Sequence, residues 1–280
     1  MPDQRHLEPQ LAVYPFQHLF ADQAAEDFRI ILADILAPDQ PDQEAPLILP
    51  ERHPPELIEI RAPHFKRLLN NGRNVVQPGF PAIDRLDQSI RELAGKTTIE
   101  TIMGAEGYAS TVYFKAFGEL IRGDFKFEKR DYYPPPDPVN ALLSFGYMLV
   151  FNELSSILEA FGFDIYLGFL HSTRYGRESL ATDMIEELRS PVVDRLVLYL
   201  INLGVIKPTS FTPTDGKGVR MDENAKKAYL KNYEKFMTAS FIDYKTRERT
   251  TFRDIIRKNA LQLEKCLLNN EEYKAFVFYA

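Results

Sequence analysis

Cysteine is nearly absent: Cys266 is the single thiol in 280 residues. That excludes an internal disulfide, and no Cys/His cluster has zinc-site spacing. Any metal must therefore be held by carboxylate oxygen and imidazole. The chain also lacks a basic start followed by an unbroken apolar stretch, since "MPDQRHLEPQLAVYPFQHLF" carries acidic residues and prolines instead. An unprocessed, cytoplasmic protein is expected. Nor is there a long apolar run free of charge. The nearest, "NALLSFGYMLVFNELSSILEAFGF" at 140 to 163, approaches membrane-spanning length but contains Asn152, Glu153 and Glu159. It reads as a buried core helix and no membrane association is expected, because intramembrane carboxylates are costly. No internal repeat or low-complexity tract is found, and the net charge of −6 gives no overall basic character. Taken alone, that charge argues weakly against nucleic acid.

What is present is unevenly placed. Residues 1 to 64 hold 12 acidic side chains against 4 Arg and no Lys, whereas residues 217 to 265 hold 13 Lys and Arg against 7 Asp and Glu. The second stretch is either a solvated helical surface or a phosphate-contacting face. The first 65 residues are rich in proline and allow only a short helix at about 21 to 36 and a strand near "ELIEIR". Helical periodicity then takes over. Ile83, Leu86, Ile90 and Leu93 share one face, as do Val112, Tyr113, Ala116, Phe117 and Leu120. Asp137 and Ser190, each followed by proline, are expected to start helices that stop near Gly162 and Gly204. "TPTDGKGVR" reads as a turn or hairpin, followed by helices at about 222 to 239 and 247 to 268. The expected fold is mainly α: a helical body behind a short, irregular or partly β N-terminal segment.

The stretch "YLGFLHSTRYGRESLATDMIEELRSP" carries the chemistry. In a helix from about 180 to 189, Leu180, Met184 and Leu188 form an apolar stripe, while Asp183, Glu186 and Glu187 occupy neighbouring sectors. Two carboxylates side by side repel by a few tenths of a kcal/mol, roughly, a cost that a cation removes. The alternative is an ordinary solvated acidic face. His171 follows a buried apolar run and is either a hydrogen-bonded core histidine or a ligand that the loop brings against the acidic helix. One His with one or two carboxylates suits Mn²⁺ or Mg²⁺. Candidates for a third ligand are Glu153 and Glu159 in the long apolar helix, and Glu106, at the expected start of another helix between Gly104 and Gly107. Periodicity does not choose between Glu106 and Glu153.

Four stretches, "MGAEGYASTVYF", "YYPPPDPVNALLSFGYMLVFNE", "GFLHSTRYGRESLATDMIEELRSPVVDRLVLYLIN" and "VRMDENAKKAYLKNYEKFM", occur in order over roughly 85 to 280. Together they closely resemble the CRISPR-associated integrase of spacer acquisition, the larger of the two adaptation proteins, and the ending "NNEEYKAFVF" is similar too. The resemblance implies an α-helical catalytic integrase domain over 85 to 280. It implies a single Mg²⁺ or Mn²⁺ site formed by Glu106, His171 and Glu186, with Asp183 as supporting acid. Glu153 then becomes a core or supporting residue, and Asn140 matches a family Asn expected to position the active-site helices. The implied reaction is metal-dependent transesterification, in which the 3′-hydroxyl of spacer-precursor DNA attacks a phosphodiester of the CRISPR repeat. A homodimer working with the small second adaptation protein on double-stranded DNA is the implied assembly.

Expected phosphate partners are Lys126, Lys129 and Arg130 before the proline loop, Arg174 and Arg177 after His171, and Lys217 and Arg220 around the "DGKG" turn. Two departures stand out. Thr111 occupies the position where family members usually carry an Arg, and residues 1 to 84 do not show the family's β-rich dimerisation domain. They form an atypical segment, either a reduced version of that domain or part of a fusion. A transposase-like integrase of a mobile element is the enzymatic alternative. A catalytically degenerate DNA-binding assembly subunit is the other.

Overall fold

The computed structural model describes residues 81–92, 98–169, 171, 176–214, 218–269, 271 and 273–278. The expected helix at 21 to 36 and the strand near "ELIEIR" lie outside them, as do Arg174 and Lys217. The described residues are mainly helical. Helix α1 is Pro81–Glu92, α2 is Ile99–Glu119, α3 is Pro138–Ala160 and α4 is Ser179–Leu188. A π-helical turn, Arg189–Asp194, joins α4 to α5, Arg195–Asn202. Beyond it come hairpin strands β1 (Phe211–Pro213) and β2 (Val219–Met221), then α6, Glu223–Thr238. A second small antiparallel pair, β3 (Phe241–Ile242) with β4 (Arg249–Thr250), precedes α7, Phe252–Asn269.

Helix α3 is the centre of the body, and its sequence explains why. Asp137 accepts a hydrogen bond from the Asn140 amide, Pro138 fills the first turn, and Gly162 follows the end at φ 79°. Between these caps Leu142, Leu143, Val150, Leu154 and Leu158 are almost fully buried. Each such side chain contributes about 1.5–3 kcal/mol relative to exposure. The helix is long and apolar enough to cross a membrane, but 72% of its most apolar window is buried against other elements. Its two carboxylates are handled separately. Glu153 is buried and pairs with Arg253 of α7, with Nε to Oε1 at 2.5 Å, while Tyr233 of α6 donates to Oε2 at 2.9 Å. Glu159 is exposed.

Three expectations about element boundaries need correcting. Helix α2 begins at Ile99, where Thr98 accepts from the Thr101 amide, so Glu106 stands about two turns inside rather than at a helix start. The macrodipole of a helix N-terminus, which acts within the first turn, does not account for it. Ser190 and Pro191 do not start a helix; the chain runs on from α4 through the π turn, with Gly204 ending α5 at φ 66° as expected. Helix α7 begins at Phe252 rather than near 247. Thr250 is engaged in β4, and Asp254 accepts from both the amide and the hydroxyl of Thr251, which fixes the first turn.

Candidate active site

The acidic stripe of α4 is not a solvated face. Asp183 and Glu187 are both 0% exposed, and Glu186 is half-buried. Asp183 reaches back to the segment that carries His171. Its Oδ2 accepts from the Phe169 amide at 2.6 Å, and its Oδ1 accepts from the His171 amide at 3.0 Å and lies 2.6 Å from His171 Nδ1. Gly168 makes this approach possible, because a Cβ there would lie 2.7 Å from Asp183 Oδ2 and 2.8 Å from Ser179 Cβ. Thus Gly168, Phe169 and His171 lie over the start of α4, fastened by one carboxylate. With Nδ1 engaged, Nε2 of His171 has no hydrogen-bond partner among the described residues.

Glu106, from α2, lies within electrostatic reach of this group. Burial first, and then the charge of Glu186, push its carboxyl up to about 7, although His171 and Arg189 act to lower it. Three elements distant in sequence therefore place their ionisable groups within electrostatic reach of one another. Among the described residues, no three His, Cys, Asp or Glu side chains are gathered to hold a metal ion. Instead Arg189 Nη1 donates to Glu186 Oε1 at 2.7 Å. The donor set nevertheless suits a divalent cation: two carboxylates, one of them held partly protonated by burial and its neighbour's charge, beside an imidazole with one nitrogen already oriented.

Sequence reasoning missed the wall of this site. The π turn puts Arg189 at its start and Asp194 at its end, both turned inward. Asp194 is buried and accepts from Tyr113 of α2 at 2.7 Å and Tyr147 of α3 at 2.5 Å. Burial raises its pKa, while the two phenols and the charges of Arg189 and Arg130 act to lower it. The Tyr147 ring lies between two guanidinium groups, Arg189 at 4.6 Å and Arg130 at 5.4 Å from its centroid. Burial acts to lower the pKa of Arg189, but Glu186, Tyr147 and Asp194 outweigh it and hold the group firmly charged. One signal existed in the sequence: Arg189 comes three residues after Glu186, a spacing that pairs side chains on a helix.

The remaining expected residues divide by environment. Asn140 is buried; its Oδ1 accepts from Arg130 and the Asp131 amide, and its Nδ2 donates to the Lys129 carbonyl and Asp137. It fastens the 129–131 loop to the start of α3. Arg130 is turned inward as well, with Nη2 on Ser144 at 3.0 Å. Lys126, Lys129 and Arg220 are exposed, and Arg177 is half-buried. Thr111 is exposed and donates to the Gly107 carbonyl at 2.9 Å. Glu153 takes part in its own ion pair with Arg253.

Residues 58–235 match the family described as CRISPR associated protein Cas1. The chain belongs to the Cas1 family. A Cas1 endonuclease of Rhodospirillum rubrum is 45% identical over 157 residues, covering 55% of this chain and 46% of that protein. The structure of a Cas1 protein from Thermotoga maritima superposes with a TM-score of 0.71 at 26% identity, covering 78% of this chain and 68% of the other. A chain of a Cas6-RT-Cas1–Cas2 complex shares the fold, with a TM-score of 0.71 at 24% identity, covering 82% of this chain and 26% of that one. The chain spans about half the length of the curated relatives it matches. The family match begins at residue 58, inside the atypical N-terminal segment.

Proposed function

We propose that this chain is a divalent-metal-dependent DNA integrase and endonuclease of CRISPR adaptation, joining the 3′-hydroxyl ends of new spacer DNA to the repeat by transesterification. The observation that carries this reading is that Glu186 and His171, from two separate elements, lie within electrostatic reach of Glu106 on a third, with His171 fastened to α4 through Asp183. Glu106, His171 and Glu186 would hold the cation, Mg²⁺ or Mn²⁺. When bound, it supplies Lewis acidity toward a phosphate oxygen and favours loss of the proton from the attacking hydroxyl.

The protein's own part is preparatory. Asp183 fixes the ring of His171 by its Nδ1 and so sets where Nε2 aims. Arg189 restrains one oxygen of Glu186 and keeps a positive charge beside a site that must accept a phosphodiester. Lys126, Lys129, Arg177 and Arg220 on the described surface are suited to DNA phosphates. In the reaction, a spacer 3′ oxygen forms a new bond to phosphorus, one P–O bond of the repeat breaks, and the released oxygen takes up a proton. No covalent enzyme intermediate is needed. The working assembly in this reading is a cytoplasmic homodimer with a Cas2-like partner, and the similarity to a chain of a Cas6-RT-Cas1–Cas2 complex supports the partner.

The test supplies Mn²⁺ or Mg²⁺, a short duplex with free 3′ ends and a supercoiled plasmid bearing a repeat. Joined products are expected from the native sequence. Glu106→Ala, His171→Ala and Glu186→Ala should each abolish joining while the chain stays folded. Joining that survives in all three would end the metal-site assignment, and DNA binding without joining by the native chain would favour an assembly subunit.

A further inference from the structure

Glu187, the neighbour of Glu186, is turned away from solvent. It is 0% exposed and bonded to the C-terminal part of the chain. Tyr273 Oη donates to its Oε1 at 2.7 Å, and the Phe276 amide and Asn259 Nδ2 of α7 donate to its Oε2 at 2.7 and 3.0 Å. Tyr273, Ala275, Phe276, Val277 and Phe278 are all buried. Phe276 and Phe278 pack with Phe241 and Phe252 in an aromatic cluster. On the far side of the π turn, the Arg195 guanidinium lies 4.3 Å from the Phe278 ring centroid. The segment 273–278 therefore touches the chain before Arg189 through Glu187 and after Asp194 through Arg195.

A π turn is a local departure from the α-helical hydrogen-bond ladder, and it persists only where its surroundings fix it. A slip back to α-helical register would rotate α5 relative to α4 and loosen the end of α4. We infer that the C-terminal segment 273–278 is a positioning element for the active site. By bracing both ends of the π turn, it holds α4 in the rotation that pairs Asp183 with His171 and Glu186 with Arg189. Its effect on metal and DNA rests on the proposed integrase function, but its effect on α4 does not.

The experiment uses the full chain and two matched variants. Tyr273→Phe removes a buried phenol that donates to Glu187 of α4, and Tyr233→Phe removes a buried phenol that donates to Glu153 of α3. Any general loss of packing is common to both. His171 is the only histidine beyond residue 64, and its imidazole NMR signals are identified by their loss in His171→Ala. Tyr273→Phe should move those signals and speed amide exchange across 179–194, and Tyr233→Phe should do neither. Mn²⁺ affinity by calorimetry should fall in Tyr273→Phe by clearly more than in Tyr233→Phe. Equal responses in the two variants, or an unmoved His171 in Tyr273→Phe, would overturn the inference. If the native chain takes up no Mn²⁺ and joins no DNA, the proposed function fails, and the His171 and exchange measurements still decide the role of the segment.

Discussion

Glu106 is held against its chemistry, and relieving it should make the metal-free protein more stable. Its carboxyl is raised from 4.5 to about 7, mainly by burial and then by Glu186. A carboxyl whose folded value exceeds its unfolded one binds more protons in the native state, so stability falls as pH rises through the window from 4.5 to 7. Below that window the group is neutral in both states and the cost vanishes. Above it, the full difference corresponds to about 3 kcal/mol as an upper figure. Glu106→Gln removes the charge and nearly keeps the shape. In the presence of a chelator at about pH 8 it should therefore melt higher by several degrees, taking about 2–4 °C per kcal/mol for a chain of this size. At about pH 4.5 the gap should shrink to about 0.4 kcal/mol. The assay is thermal unfolding with EDTA across roughly pH 4.5–8 for both proteins, repeated with Mn²⁺, which should stabilise the native sequence and not the variant. A variant no more stable than the native protein at the alkaline end, or a gap of constant size across the range, would refute the argument.

Other substitutions act through single contacts. Gly146→Ala places a Cβ 2.1 Å from Tyr229 Oη and 2.6 Å from Val193 Cγ1, and should destabilise by about 1–3 kcal/mol in denaturant titration through overpacking. Arg253→Met leaves Glu153 buried without its cation, for an expected loss of about 3–5 kcal/mol near neutral pH. Adding Glu153→Gln to that variant should recover part of the loss. Asp183→Asn keeps the side-chain volume but replaces one acceptor oxygen with a donor, so a bond from Phe169 or His171 must fail. DNA joining and Mn²⁺ affinity should each fall about 10–100-fold.

The helical body was legible along the chain because helical periodicity and capping residues act locally: Asp137 and Pro138 start α3, and Gly162 and Gly204 lie just past helix ends at positive φ. The sequence also yielded Glu106, His171, Asp183 and Glu186 as candidates, through the stretches resembling the integrase family. Residue spacing within one helix could not say which carboxylates are dry. Asp183 and Glu187 are neighbours of exposed-looking charges in sequence, and only a returning loop and a returning C-terminal segment bury them. The π turn was likewise illegible, since "RSPVVD" satisfies the ordinary signature of a helix start. Its register is decided by partners far along the chain, Tyr113 and Tyr147 on Asp194 and the segment 273–278 around it. Short-range propensities differ by fractions of a kcal/mol, roughly, whereas an unpaired buried carboxylate costs several, so tertiary pairing settles both the register and the direction in which the site's side chains aim.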